Sequence, residues 1–384
     1  MKAIVLVAPG RLEVVDDWPE PEPGPHDVVV RVHSVGLCGS DLTVYHGRRT
    51  TPTLPWVMGH EGGGEIVAVG PEVTDRRVGQ RVVIEPNYCC RQCPPCRSGR
   101  TSACTRRLAV GLNHPGLLAE RVTVPARFTW PVPADWHGQI LGVVEPVAVA
   151  RSAVRRGGVR AGEHCLVVGA GSQGLLVCQA LRAAGAVPFV VEPHPGRLAL
   201  ASRLGARPLT REAEQTFPVV FEAAGVPAAV RTALDRAAPG ASVVLIGLSQ
   251  TPLPISAYEL VRRQLTVRGS LIYDHPADFP ETLAAIARGD LDPGRVMQPG
   301  YRPDRAATAF AESDRLPGKA WLDLSSWPQR PAAGPRPRTA PPHRHDPVAG
   351  DRRDDDVAGE RRDDDVAGGA GMTTLPEGGR DDDR

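Results

Sequence analysis

The chain is almost without lysine: of its 45 basic residues only Lys2 and Lys319 are lysine. That shortage reads as GC-rich codon usage rather than as function. It also lacks an excess of either charge, since 45 Lys and Arg stand against 44 Asp and Glu for a formal net charge of +1. So even a balance sets up no global field to attract nucleic acid or an anionic membrane, and binding is expected from local sites. No apolar run reaches the roughly eighteen residues that a spanning helix needs. The apolar start of MKAIVLVAPGRLEVV is too short and too soon polar for a secretory leader. Together these absences predict a soluble cytoplasmic protein with no membrane partner.

What is present begins with length. At 384 residues and 41% hydrophobic content, the chain exceeds one hydrophobic core and has apolar residues enough for two domains. From Met1 to about Pro133 it shows short strands punctuated by Gly and Pro: AIVLV, DVVVRVHSVG, GEIVAVG, RVVIEP and RVTVP, the pattern of a β-rich module. From about Arg151 apolar strands alternate with Ala- and Leu-rich helices, as in HCLVVGAG, SQGLLVCQALRAAGA, FVVEP, RLALASRLGA, PVVFEAAG, AAVRTALDRA and ASVVLIG. Strands and helices in that order predict right-handed β-α-β units and a parallel sheet. LTVRGSLIY, a helix FPETLAAIARG and a mixed segment ending near KAWLDLSSW follow. Beyond Trp327 the composition turns to Pro, Gly, Arg and Asp, and RRDDDVAG occurs at 352–359 and again at 361–368. Such a segment has too little apolar area to offset its ordering entropy, so 328–384 is predicted to be a disordered, dispensable tail.

Five of the eight cysteines fall in CCRQCPPCRSGRTSAC, residues 89 to 104. In a reducing compartment that crowding points to a metal rather than to disulfides. Cys90-x2-Cys93-x2-Cys96-x7-Cys104 lets a short loop wrap one zinc with four sulfurs and leaves no position for substrate, which makes the site structural. Cys89 is the surplus thiol, because it would change the first spacing to x3. A zinc ribbon that binds nucleic acid would use a similar lobe, but basic residues interleaved with aromatics are missing here. Cys165 and Cys178 sit in apolar runs and read as small core residues.

Two further patterns carry chemistry. VVGAGSQG places Gly169, Gly171 and Gly174 in G-x-G-x-x-G spacing, with Gln173 inside the loop, after an apolar strand and at the opening of a helix. Glu192 ends the next apolar run, where a carboxylate meets the ribose hydroxyls of a dinucleotide. Its charge favours NAD over NADP, a preference that Arg197 softens. Pro188 is expected near the start of its strand. Separately, GLCGSD supplies Cys38, MGHEGGG supplies His60 and Glu61, and VVEPVAVA supplies Glu145. A thiolate, an imidazole and carboxylates from separate segments are a donor set for a second zinc that keeps a position open for water or an alcohol oxygen.

With GLCGSD, GHEGGGEIVAVG, the four-cysteine lobe, EPVAVA, VVGAGSQG, FEAAG, VVLIG and VRGS in this order, the chain resembles the zinc-dependent medium-chain dehydrogenase/reductases, the alcohol dehydrogenase family, over roughly residues 1 to 325. The resemblance implies an α/β protein: a GroES-like catalytic domain (1–150, with a structural zinc lobe at 86–106, completed by 273–327) and a Rossmann domain with a doubly wound parallel sheet at 151–272. It implies a catalytic and a structural zinc in each chain, and homodimers or homotetramers. Cys38 and His60 match zinc ligands, and Glu61 matches a residue that binds or approaches the zinc during exchange. Glu145 resembles the acidic ligand position of the polyol and sugar branch. Asp41 matches the carboxylate that orients the zinc histidine, and Ser40 the hydroxyl that passes the alcohol proton outward. Thr43 stands where some members put the histidine ending that relay, with Tyr45 and His46 as nearby alternatives. The implied reaction is oxidation of a secondary alcohol of a polyol, sugar or cyclitol by hydride transfer. GLNHPGLLAERVTVP is also similar to threonine dehydrogenases, so an amino alcohol, or an aminocyclitol of antibiotic biosynthesis, is the alternative substrate. A reading from another class is a non-catalytic scaffold that uses the fold and the tail.

Overall fold

A computed structural model of the chain describes residues 1–210 and 214–327. The predicted tail at 328–384 lies outside the described residues. Strand Asp27–Gly36 organises the first half, with an interior run of valines that are mostly buried. It pairs antiparallel with Glu61–Val69, Arg121–Pro125 and Trp321–Asp323. On the far side of Glu61–Val69 the sheet continues through Arg81–Ile84 to Thr129–Pro131. Val28, Val30, Val32, Ile66, Val82, Ile84 and Phe128 form the core against it. Pairing of Trp321 with Gly36 returns the far end of the described chain to the strand that leads into Cys38.

The second half is a six-stranded, wholly parallel sheet in the order Arg207–Pro208, Val187–Val191, His164–Val168, Phe217–Glu222, Ala237–Leu245, Thr266–Gly269. Successive side chains of a strand point to opposite faces, and here both faces are covered. Val167, Phe221 and Val244 enter one core with helix Ser172–Ala183, while Leu166, Val168, Val220 and Val243 enter another with helix Pro227–Asp235. This accounts for strands that read as continuous apolar runs rather than as alternating ones. The first strand lies at the middle, so the crevice at the switch point opens beyond the carboxyl ends of His164–Val168 and Phe217–Glu222. Pro188 is the second residue of its strand.

Helix Val144–Gly157 links the halves and packs on both Ser172–Ala183 and Glu61–Val69. It begins with Glu145 in its first turn and ends at Gly158, which is left-handed at φ +71°. No helix among the described residues is long and apolar enough to cross a membrane.

Candidate active site and metal centres

Cys38 caps helix Gly39–Tyr45, and that first turn builds the site. Asp41, fully buried, accepts from the Cys38 N–H at 3.1 Å and the Gly59 N–H at 3.2 Å, and lies 3.2 Å from His60 Nδ1. With Nδ1 held by Asp41, Nε2 is the nitrogen left to bind a metal, and Ser40 Oγ stands 3.4 Å from it. Burial alone would drive the proton off His60, but the Asp41 charge and hydrogen bond outweigh it and hold its pKa well above the ordinary value. Donor atoms of Cys38, His60 and Glu61 all lie within 4.8 Å of one another. Zinc fits this set: a thiolate and an imidazole whose second nitrogen is fixed by a carboxylate are what the ion selects.

Lys319, which the motif reading passed over, completes the arrangement. Its ammonium is buried, pairs with Glu61 Oε2 and donates to the Leu37 carbonyl at 3.0 Å. Burial lowers the pKa of such a group, yet the charges of Glu61 and Cys38 reverse the balance and leave it raised. The available signal was compositional: a chain with two lysines keeps one of them in the otherwise apolar run GKAWL.

Glu145 lines the same cavity but stands outside the three-residue donor cluster. Burial pushes its carboxyl up to about 7, against the pull of His60. Asn87 reaches it at 3.5 Å and also donates to Tyr273 Oη at 3.0 Å. Asn87 lies in no quoted segment, and Tyr273 ends the quoted LTVRGSLIY without a role assigned from sequence. Beyond Ser40, Thr43 Oγ1 donates back to the Ser40 carbonyl at 2.7 Å. Tyr45 Oη donates to the Gly10 carbonyl at 2.9 Å, and its ring, like that of exposed His46, does not line the cavity.

The second centre gathers Cys90, Cys93, Cys96 and Cys104 and leaves out Cys89. All eight cysteines are free thiols. Sγ separations of 4.0 Å for Cys90 to Cys96 and 3.9 Å for Cys93 to Cys104 approach the roughly 3.8 Å edge of a tetrahedron with about 2.3 Å zinc–sulfur bonds. The Gln92 and Cys93 N–H groups pull the Cys90 thiol down to about 5, and those of Cys96 and Thr105 lower Cys93. Buried Cys89 is raised instead, chiefly by desolvation. Burial raises the Cys96 thiol, so it is the clustering of the four sulfurs that makes the lobe a donor set for one ion.

The dinucleotide crevice is lined by Gly169, Gly171, Glu192 and Arg197. Gly169 sits at φ +95°, and a Cβ on Gly174 would lie 1.9 Å from the Gly169 carbonyl oxygen, so side chains are excluded from both. At Gly171 a Cβ would meet nothing within 4 Å, leaving room for a pyrophosphate over the start of helix Ser172–Ala183. Glu192 accepts from the Ala170 N–H at 2.7 Å and the His194 N–H at 2.8 Å. Arg197 lines the crevice, but its guanidinium donates to the Asp314 and Leu316 carbonyls. Gln173 turns toward the other cavity, donating to the Pro146 carbonyl at 3.2 Å. Buried Glu222 holds the Ala224 and Gly225 N–H groups at 2.8 and 2.7 Å. The crevice and the cavity around Cys38 share Ala223 and Ala224, so the two adjoin.

Two family models match the chain: the alcohol dehydrogenase GroES-like domain over residues 24–134 and the zinc-binding dehydrogenase over 174–288. Among curated proteins, the chain is 32% identical over 296 residues to an L-galactonate-5-dehydrogenase of Escherichia coli strain K12, covering 73% of this chain and 86% of that protein. It is 31% identical over 342 residues to an L-threonine 3-dehydrogenase of Chelativorans, covering 82% and 98%. A solved structure of a short chain alcohol dehydrogenase from Escherichia coli CFT073, complexed with the cofactor NADH, superposes with a TM-score of 0.78 at 27% identity, covering 84% of this chain and 99% of that one.

Proposed function

We propose that this chain, which belongs to the zinc-type alcohol dehydrogenase family, oxidises a secondary hydroxyl of a polyol, a sugar or one of their acids to a ketone. The observation that carries this reading is the convergence of Cys38, His60 and Glu61 in a cavity that shares a wall with a glycine-lined crevice. When bound, zinc supplies Lewis-acid activation of the hydroxyl and the nicotinamide supplies the hydride acceptor. Cys38 and His60 hold the metal, with Glu61 as the exchanging carboxylate and Glu145 as a further acidic ligand. Asp41 fixes the His60 tautomer. Ser40 takes up the hydroxyl proton; Thr43, beside it in the cavity, carries the next hydroxyl outward. Val110, Leu112, Ile246 and Ile272 keep water from the reacting carbon.

Gly169, Gly171, Gln173 and Gly174 bind the dinucleotide, and Glu192 favours NAD. Engagement of the Arg197 guanidinium by two carbonyls leaves less of it for a 2′-phosphate and strengthens that preference. Each chain takes two zinc ions, the second held by Cys90, Cys93, Cys96 and Cys104. We place the catalytic domain at 1–150 and 273–327, the dinucleotide domain at 151–272, the site of action in the cytoplasm, and the working form as a homo-oligomer.

The test is spectrophotometric. Zinc-loaded protein is offered polyols, aldonates, polyol phosphates, inositols, aminocyclitols and L-threonine with NAD or NADP, and nicotinamide reduction is followed. A measurable rate with one class, and a higher kcat/KM with NAD, is expected. No reduction of either cofactor across the whole panel overturns the reading.

A further inference from the structure

Two arginines line the cavity around Cys38, Ser40 and His60, which has a volume of about 590 Å³. Arg107, half-buried, follows the cysteine lobe and donates through Nη1 to the Ser102 carbonyl at 2.9 Å. Its Nε is buried and has no hydrogen-bond partner. Arg49, exposed, lines the same cavity. Burial lowers the Arg107 pKa, and the Arg49 charge adds to that effect. Among the described residues neither guanidinium is paired with a carboxylate, whereas Arg155, Arg156 and Arg263 all are.

A guanidinium held in a partly buried site without a carboxylate partner is costly, and because its Nε is shut off from solvent, as is that of Arg31, an arriving acceptor would meet the part of the Arg107 guanidinium that lines the cavity. The carboxylates of the cavity do not meet the need: Glu61 is taken by Lys319, and Glu145 faces Asn87. The dinucleotide phosphates do not either, because the crevice at Gly169 and Gly171 is lined by neither arginine. What is missing is an anionic acceptor arriving with the substrate. Guanidinium presents a planar fork of donors that suits the oxygens of a carboxylate or a phosphate.

We propose that Arg107, assisted by Arg49, binds an anionic group of the alcohol substrate, a carboxylate or a phosphate monoester, while the hydroxyl lies against Cys38, Ser40 and His60. This rests on the dehydrogenase reading above and narrows its substrate class to acidic polyols. Arg107 acts in recognition and takes no part in moving the proton or the hydride.

The experiment compares matched alcohols: an aldonate, the corresponding polyol phosphate and the uncharged polyol, with wild type, Arg107→Leu, Arg107→Lys and Arg49→Ala. Wild type is expected to favour one anionic compound over the uncharged polyol in kcat/KM, and the aldonate and phosphate arms tell the two anions apart. Arg107→Leu should cut that preference about ten- to a hundredfold, as expected for loss of a charge-assisted hydrogen bond. The loss should fall on the KM of the anionic substrate, with the KM of NAD unchanged and Arg107→Lys restoring part of it. Exposed Arg49→Ala, which removes no buried group, should show a smaller loss in the same direction. Thermal shift supplies a reading independent of turnover: gluconate or inorganic phosphate should raise the Tm of wild type more than that of Arg107→Leu or Arg49→Ala. Equal shifts in all three proteins, a preference for uncharged polyols, or a rise in the KM of NAD instead of that of substrate each overturn the proposal. Turnover of uncharged polyols alone would defeat the anion site and leave the dehydrogenase reading standing.

Discussion

Lys319 and Glu61 show how a single residue sets the state of this site. Both are buried, and each is the other's countercharge. Removing one partner of a buried pair strands the other, which typically costs about 3–5 kcal/mol. Lys319→Met should therefore lower the unfolding free energy by about that amount in urea titrations, while Lys319→Arg retains most of it. An unchanged midpoint in Lys319→Met would show that Glu61 is neutralised in another way. The cysteine lobe makes a similar single-residue distinction. Cys90 has two backbone N–H groups aimed at its sulfur, and Cys89 is buried with its thiol protonated. Elemental analysis should find about two zinc per chain in wild type and Cys89→Ser, and about one in Cys90→Ser. Equal zinc in both variants would remove Cys90 from the ligand set. Cys165 and Cys178 need no metal: burial pushes both thiols up to about 12. Thiolate is the reactive form, so in the folded protein near pH 8 neither should react with Ellman's reagent, and both should on addition of guanidinium.

At the scale of elements, the glycine loop shows how local geometry translates into function. Gly174 opens onto the Gly169 carbonyl at a distance no methyl tolerates. Gly174→Ala must separate the strand end from helix Ser172–Ala183, at about 1–3 kcal/mol, and should raise the KM of NAD more than that of the alcohol. An unaltered KM for NAD would mean that the loop does not bind the dinucleotide. This turn was legible because its physics is local: strand, glycines and helix are adjacent in sequence. The same holds for the strands Asp27–Gly36, Arg121–Pro125 and His164–Val168, whose bounds coincide with their alternating or apolar runs. Helix Gly39–Tyr45 was less legible, since its cap is a cysteine rather than a Ser or Asp. Helix Val144–Gly157 was read only as the motif around Glu145, because its buried residues cover most of its surface and blur the helical period. The Lys319–Glu61 pair and the orphaned Arg107 Nε escaped a sequence reading altogether. Each depends on tertiary approach between segments that carry no shared pattern.

At the scale of the whole molecule, the parallel sheet leaves Thr266–Gly269 as an edge strand with a partner, among the described residues, on one side only. The segments before and after that strand in the chain carry Leu248, Tyr258 and Val261, each more than 70% exposed, together with Leu253 and Leu271. An uncovered edge strand beside apolar side chains is a template for association, which soluble proteins normally cover. On the homo-oligomer reading proposed above, a second copy of the chain would be the cover: a two-fold axis through the edge would pair Thr266–Gly269 with itself, antiparallel, and bury the same residues from both copies. Leu248 and Leu271 also line the reaction cavity, so this contact would close the cavity mouth as well as join the subunits. Light scattering coupled to size exclusion should give at least twice the 40.9 kDa chain mass. The double substitution Tyr258→Asp with Val261→Asp sits on exposed helix Ala257–Arg262 and touches no buried core. It should yield a folded monomer with the same zinc content and a raised KM for the alcohol, because the mouth is then open to water. A wild-type monomer, or a dimer that survives both substitutions, would place the subunit contact elsewhere.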